Sequence, residues 1–378
     1  MRLCCIADIT SIHTQRWANY FARRLHEVHL ISRHFTEEYE GLNSRIQVYP
    51  LIRLLPLPQV SHVSIYLSAL PWVLQVRSLV KEIKPDIVQA QFIGVPGYLG
   101  AASGFHPLVL IARGSDILIM PKQNPMYRFL TKQALKRADC IICVSSALKE
   151  EVIRLGALKN KVEIAPAGVD TEEFSPGLRN EMLLRMLEID DSPVVISTRS
   201  LKPIYDVETL IKAIPLILAE IPQAKFVVAG TGEQEDYLKE LARDLGVANN
   251  TKFIGWVPRT EVPKYLSSAD IYVSTSLSDG TSNSLLEAMA CGLAPVVTDI
   301  PANRPWIKDE ENGFLFPTRG YERLAAKIIY LLKNQEARGH FGRRSRDMVR
   351  GEAEEETQMR KLERIYYELV EGNSSLRN

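Results

Sequence analysis

Short apolar runs recur along the chain, and most are followed by a longer stretch with helical spacing. LCCIA (3–7), VHLIS (28–32), DIVQA (86–90), LVLIA (108–112) and CIICVS (140–145) lack the alternation of a half-exposed strand. Such runs suit parallel strands covered on both faces. QRWANYFARRL (15–25) and NPMYRFLTKQALKRA (124–138) place apolar residues at helical intervals between them, so a βαβ series is predicted. VEIAPAGVDTEEFSP (162–176) interrupts it with proline, glycine and charge and reads as the end of a first domain. A second series follows: VVIST (194–198), KFVVAG (225–230), TKFIG (251–255), DIYVS (270–274), APVVT (294–298) and GFLF (313–316) as strands. DVETLIKAIPLILAE (206–220), EQEDYLKELARDLG (233–246), EVPKYLSSA (261–269) and SLLEAMA (284–290) are the helices between them. EEETQMRKLERIYYELV (354–370) forms a closing amphipathic helix on Met359, Leu362, Ile365, Tyr366 and Leu369.

The pattern predicts an α/β chain of two doubly wound, Rossmann-like parallel-sheet domains. The first spans 1–173, the second 174–351, and the helix at about 352–372 packs back on the first. Two such sheets facing across a cleft would present their strand C-terminal ends to it, where these sheets bind ligands. A length of 378 residues agrees with two cores rather than one.

Charge adds one feature. The net charge of +1 argues against a nucleic-acid partner. Residues 1–170, however, carry 20 lysines and arginines against 13 acids, which suits an anionic partner such as a membrane surface or a phosphorylated acceptor. HVSIYLSALPWVLQVRSLVKEIK (62–84) sets Val63, Tyr66, Leu67, Leu70, Val73 and Leu74 at helical spacing, near Arg53, Arg77, Lys81 and Lys84. That stripe fits a helix packed on the first sheet and also one resting on a membrane. Prolines and polar residues make 54–76 a poor membrane span. The N-terminal apolar stretch is too short for a signal peptide. Cys140 and Cys143 form a C-x-x-C inside an apolar run and read as strand residues, not a redox turn. With five cysteines in no even framework, the expected setting is the cytoplasm, at or near the inner face of the membrane.

The chemistry concentrates at SDGTSNSLLEAMACGLAPVV (278–297). A strand ends there, a loop of small polar residues follows, and a helix begins with Ser282 or Asn283 as its cap. Backbone N–H groups at Gly280, Thr281, Ser282, Asn283 and Ser284, with the positive end of the helix, suit an anion such as a diphosphate. Glu287, one turn inside, suits ribose hydroxyls, and Asp279 suits hydroxyls of a transferred sugar. The alternative is a capped helix with solvated acids. In ISTRSLKPIYD (196–206), Arg199 and Lys202 follow a strand and suit the charge on a leaving diphosphate. VVAGTGEQE (227–235) offers Gly230 and Gly232 after another strand, without the third glycine of a dinucleotide fingerprint. FIGWVP (253–258) suits the edge of a nucleobase.

SDGTSNSLLEAMACGLAPVV resembles the donor-site signature of retaining glycosyltransferases of family 4, which have the GT-B fold. GVDTEEFSP (168–176), RADCIICVSS (137–146), VVAGTGEQE and NGFLFP (312–317) extend the resemblance in the same order from about residue 2 to 370. It implies metal-independent transfer of a sugar from a nucleotide sugar, such as a UDP- or GDP-sugar, to a glycan or lipid-linked acceptor, with retention and without a cofactor. The chain has no D-x-D pair of the kind metal-dependent transferases use. Glu287 resembles the ribose-binding acid and Arg199 the diphosphate-binding arginine. Asp279 stands where the family has Glu. The family's partner Lys falls at Ile204 or Tyr205 here, leaving Lys202 as the substitute.

The first domain departs further. SIHTQRW (11–17) lacks the family's double glycine and offers His13 and Arg16. Gln89-Ala90-Gln91 replaces a His-x-His, and glutamine donates hydrogen bonds but does not titrate. In RGSD (113–116), Asp116 suits sugar hydroxyls or a helix cap. Two rival readings share the pattern: a nucleotide-sugar epimerase of the same fold and a non-catalytic scaffold in polysaccharide assembly. An oxidoreductase is disfavoured because no G-x-G-x-x-G follows a strand.

Overall fold

The computed structural model describes residues 1–34, 41–52, 70–189 and 191–375. The chain divides into two compact units, Met1–Ala167 with Thr357–Asn378, and Gly168–Glu356.

In the first unit the strands are β1 (Arg2–Ile6), β2 (Glu27–Ser32), β3 (Gln47–Pro50), β4 (Ile87–Gln91), β5 (Leu108–Ala112), β6 (Cys140–Cys143) and β7 (Val162–Ile164). They form one parallel sheet in the order β3-β2-β1-β4-β5-β6-β7. Strand order therefore reverses between β1 and β4. The central strands are buried along their length, as unbroken apolar runs require. β3 and β7 were not anticipated. Both lie at sheet edges and are partly exposed, so their sequences carry no apolar run. Trp72, Val73, Val76, Val80 and Ile83 of the helix Leu70–Ile83 lie in the core of this unit. Arg53, Val63, Tyr66 and Leu67 lie outside the described residues. Cys4, Cys5, Cys140 and Cys143 are buried free thiols, and burial pushes Cys5, Cys140 and Cys143 up to about 12.

The last helix, Glu355–Ser375, belongs to this sheet's other layer. Its Tyr366 ring stacks on Phe21 at 5.4 Å and its hydroxyl accepts from Trp17 Nε1 at 3.2 Å. Glu363 is buried among Arg24 Nε at 3.0 Å, His26 Nε2 at 2.7 Å and the Tyr20 hydroxyl.

The second unit holds β8 (Val194–Ser197), β9 (Lys225–Ala229), β10 (Thr251–Gly255), β11 (Ile271–Ser274), β12 (Ala294–Thr298) and β13 (Phe314–Phe316). They form a parallel sheet ordered β10-β9-β8-β11-β12-β13, which reverses between β8 and β11. The division of the chain falls earlier than residue 173 because Val169 and Phe174 are buried in this unit's core. There the incoming chain runs beside the outgoing one. Val169 N–H donates to the Ala353 carbonyl at 2.8 Å, and Glu355 N–H donates to that of Val169 at 3.0 Å. Gly168 has φ +74, and a Cβ on it would lie 2.7 Å from Glu355 Cα, so glycine permits this close approach. Among the described residues, no helix is long and apolar enough to cross a membrane.

Candidate functional site

In an open parallel sheet, ligands bind beyond the strand C-termini where the order reverses. In the second unit that point lies between β8 and β11, and the loops following them carry Arg199 and Asp279. Arg199 is 8% exposed. Its guanidinium donates from one terminal nitrogen to Ser282 Oγ at 2.7 Å and Ser284 Oγ at 2.9 Å, and from the other to Asp279 Oδ2 at 2.6 Å. The guanidinium carbon lies 4.1 Å from the centre of the Tyr205 ring. Burial opposes this charge, but Asp279, together with Tyr272 and Tyr205, outweighs it, and the pKa is held above its ordinary value. The Tyr272 hydroxyl donates to Ser284 Oγ at 2.8 Å, fixing the same serine from beneath.

The helix that receives Arg199 spans Asn283–Ala290. Ser282 is its N-cap, extended at φ −79 and ψ 103, and its Oγ accepts from Leu285 N–H. Leu285, Leu286, Ala288 and Met289 bury the inner face, which fixes the helix start against β11. Asp279 Oδ1 accepts from Gly280 N–H at 2.8 Å. Thr281 and Asn283 are half-buried beside it. The loop thus brings together a helix N-terminus, a guanidinium and a carboxylate, as expected for Arg199, Asp279 and residues 280–284. Yet the hydroxyls of Ser282 and Ser284 are engaged by Arg199, so their backbone N–H groups, not their side chains, are the ones suited to an anion.

The fold gives Gly230 and Gly232 a structural reason of their own. A Cβ on Gly230, at φ +143, would lie 2.4 Å from the Arg199 carbonyl oxygen, and one on Gly232 would lie 2.2 Å from that of Leu201. Leu201 N–H donates to Thr231 O at 2.9 Å and Gln234 N–H to Leu201 O at 3.0 Å. The two glycines therefore cradle the backbone that carries Arg199. Lys202 is exposed where the 3-10 turn Pro203–Tyr205 begins. Tyr205, not Lys202, occupies the face of the guanidinium. This turn is tied to the β11 loop by Thr275 Oγ1 donating to Tyr205 O at 2.9 Å and Leu277 N–H donating to Ile204 O.

Glu287 projects from the first turns of the same helix and accepts from Arg259 at 2.7 Å. Arg259, in the segment following β10, also donates to Glu173 at 2.9 Å and lies over the Phe174 ring. Sequence reasoning missed Arg259 and Tyr205. Position after a strand C-terminus was the available signal for both.

In the first unit, Asp116 is also corrected. It is fully buried. Its carboxylate accepts from Ile93 N–H at 2.8 Å, Gly114 N–H at 2.7 Å and, at longer range, Arg113 N–H. It ties the ends of β4 and β5 together instead of meeting a sugar, and burial raises its pKa despite those bonds. His13 is half-buried in the helix Ile12–Arg23 and lines a cavity of about 40 Å³ with Arg16 and Arg113.

Two parallel sheets, each with its order reversing at the centre, and an arginine–carboxylate pair at a helix start define a GT-B type protein. Two family models match: "Glycosyl transferase 4-like" over residues 2–145 and "Glycosyl transferases group 1" over residues 184–348. The chain belongs to the group 1, family-4-like glycosyltransferases. It is 35% identical over 178 residues to an uncharacterised glycosyltransferase of Methanocaldococcus jannaschii, covering 46% of this chain and 45% of that one. It is 28% identical over 250 residues to the Escherichia coli UDP-Gal:alpha-D-GlcNAc-diphosphoundecaprenol alpha-1,3-galactosyltransferase, covering 63% and 64%. The fold matches that of Anabaena HepE, solved in complex with UDP, at a TM-score of 0.80 and 19% identity, covering 98% of this chain and all of that one. The chain spans about half the length of the first curated relatives it matches.

Proposed function

We propose that this protein transfers a sugar from a nucleotide-sugar donor to a hydroxyl of a glycan or lipid-linked acceptor, with retained configuration and without a metal. One observation carries the reading: the Arg199 guanidinium is fixed against the start of the helix Asn283–Ala290, beside Asp279. A diphosphate there meets backbone N–H groups, a helix N-terminus and a guanidinium at once. Its two charges compete with the single charge of Asp279 for Arg199, which turns the carboxylate toward the hydroxyls of the sugar. Glu287 binds the ribose hydroxyls, with Arg259 holding its carboxylate in place. The UDP- or GDP-sugar is a substrate, and no cofactor takes part.

In the transfer, the acceptor oxygen bonds to the anomeric carbon on the face from which the diphosphate departs. The carbon–oxygen bond to the diphosphate breaks, and the acceptor proton passes to the leaving diphosphate. Gln89 and Gln91 do not titrate, so this route asks no base of them. Positioning and charge stabilisation then supply the catalysis. The excess of cations in residues 1–170 supports an anionic acceptor, held at the inner face of a membrane by the basic N-terminal unit.

Thermal-shift screening with nucleoside diphosphates and nucleotide sugars tests the reading. A donor at 100 times its dissociation constant stabilises by about 2.7 kcal/mol. Glu287→Ala abolishes that shift in a folded protein. No shift with any nucleotide overturns the proposal, and a shift unchanged in Glu287→Ala removes Glu287 from the site.

A further inference from the structure

The helix Pro125–Arg137, in the first unit, shows to solvent a pattern that neither the core nor the candidate site explains. Tyr127, Thr131, Ala134 and Leu135 recur at helical spacing and bury its inner face. On the outer face Phe129 is 56% and Met126 42% exposed, and a separation of three residues makes them neighbours on the helix surface. Cations surround them. From Ile117 to Ala138 the sequence holds Lys122, Arg128, Lys132, Lys136 and Arg137 and no acid. Over the whole chain cations and acids balance, 46 against 45, so this asymmetry is local. Lys136 and Arg137 have a structural reason: they stand in the last turn, where the negative end of a helix favours cations, and Arg137 also donates to the Ala101 carbonyl at 3.3 Å. Lys122, in the short helix Met120–Gln123 just before, and Arg128 and Lys132 have none. None of these three pairs with a carboxylate among the described residues.

The helix Leu70–Ile83 extends the surface. It buries Val73, Val76 and Val80 in the same core that receives Ala134 and Leu135. The two helices therefore cover one face of the sheet, with the helix Val95–Ser103 packed between them. Outward, the helix Leu70–Ile83 shows Leu74, 61% exposed, with Arg77 and Lys81. Residues 70–84 hold three cations and one acid, Glu82. Cations alone would suit any polyanion. The apolar side chains among them select a bilayer, whose acyl boundary takes the rings and thioethers while its phosphates take the charge. Long lysine and arginine stems reach such phosphates from the flanks of a buried apolar side chain.

We propose that this helical face docks on an anionic lipid bilayer, with Phe129 and Met126 entering the interface and Lys122, Arg128 and Lys132 meeting lipid phosphates. The proposal rests on the membrane placement given above and names the surface that makes it.

Co-sedimentation of the full chain with vesicles tests it, with phosphatidylcholine alone and with phosphatidylcholine and phosphatidylglycerol in equal parts. The wild-type protein pellets with the anionic vesicles, stays in solution with the neutral ones, and is released as salt rises. Lys122→Gln, Arg128→Gln and Lys132→Gln combined weaken the binding about tenfold or more. Arg323→Gln, Arg343→Gln and Arg350→Gln combined, at exposed positions of the other unit, leave it within about twofold of wild type. Phe129→Trp gives a direct readout, because its emission shifts to the blue, beyond that of the wild type, when anionic vesicles are added. These side chains lie outside the core, so the variants fold. Absence of wild-type binding to anionic vesicles overturns both the docking face and the membrane placement. Undiminished binding by the first triple variant, or an unshifted Phe129→Trp emission, overturns the face alone. Nucleotide binding is measured without vesicles, so its failure sinks the transferase reading and leaves this result untouched.

Discussion

Each sheet reverses its strand order once, and each reversal holds an arginine, buried in one unit and half-buried in the other, with very different company. Arg199 meets two serine hydroxyls, a carboxylate and an aromatic ring. Arg113 donates to a neutral glutamine, with a second arginine and Asp116 among the charges near it. The acids explain the contrast. Asp279 lies in a loop whose own backbone takes only one of its oxygens, through Gly280, and the other reaches Arg199. Asp116 is bound by three backbone N–H groups and meets the Arg113 guanidinium through charge alone, without a hydrogen bond to it. One guanidinium is therefore locked by direct hydrogen bonds to a carboxylate, and the other is held by a neutral amide with its acid at one remove.

The largest effect expected from breaking this comparison is at Arg199. Arg199→Met strands Asp279 beside a helix start and costs about 3 kcal/mol of stability. Adding Asp279→Asn removes the stranded charge and restores most of that loss in urea denaturation. Transfer activity behaves differently: kcat/KM falls by about 10²–10³ in the single variant and stays low in the double. Equal stability of wild type and Arg199→Met would show that the pair is not a stabilising one, and the contrast with Arg113 would collapse.

The same contrast shows what was legible in the chain itself. Central strands announced themselves, because a parallel strand covered on both faces must be apolar throughout. LVLIA, TKFIG and APVVT begin and end as β5, β10 and β12 do. Gln47–Pro50 and Val162–Ile164 gave no such signal, since an edge strand is half exposed. The polar helix Gln335–Glu352 was silent for a similar reason, with Phe341 and Val349 among its few buried residues. In the candidate site, Arg199, Asp279 and Glu287 were marked by their places after strands or early in a helix. Tyr205 and Arg259 also follow strands, but each acts on a partner that only the fold brings near, so position alone did not single them out. The arginine and the acid of RGSD were visible, but the backbone N–H groups that the acid binds were not. That depends on where the oxygens of Asp116 point, which spacing does not encode.

A third cluster in the first unit sharpens the rule that pairing decides the cost of removal. Glu363 is buried with Arg24, His26 and Tyr20. Burial works against its charge, but the hydrogen bonds from Arg24 and His26 outweigh it and hold the carboxyl below the usual range. A depressed carboxyl stabilises above its unfolded pKa, about 4.3, and that contribution is lost as pH falls through the folded value. Glu363→Gln therefore costs about 2 kcal/mol at pH 7, and its urea midpoint converges on that of the wild type below pH 4. A gap that stays constant with pH would mean that packing, not charge, docks the last helix.

A smaller effect is expected at Tyr205. Its ring supports the Arg199 guanidinium from one face, in the position where the family resemblance led us to look for a lysine. Tyr205→Leu removes a partly desolvated cation–π contact and costs about 1 kcal/mol, with a several-fold rise in the KM for the donor. Tyr205→Phe keeps the ring and leaves both unchanged. If the phenylalanine variant is as impaired as the leucine one, the hydroxyl matters and the role assigned to the ring is wrong.

The smallest effect is predicted where the guanidinium has no carboxylate bonded directly to it. Arg113→Met takes away a guanidinium whose Nε has no partner and whose terminal nitrogen meets only Gln91. The variant loses one hydrogen bond and leaves Gln91 without its donor. It also removes a desolvated charge that Asp116 stabilises only without a hydrogen bond. These effects oppose one another, so stability measured by urea denaturation changes by less than about 1 kcal/mol, against the larger loss at Arg199. A drop as large as that of Arg199→Met would mean that Arg113 is already paired and the first unit holds a finished network.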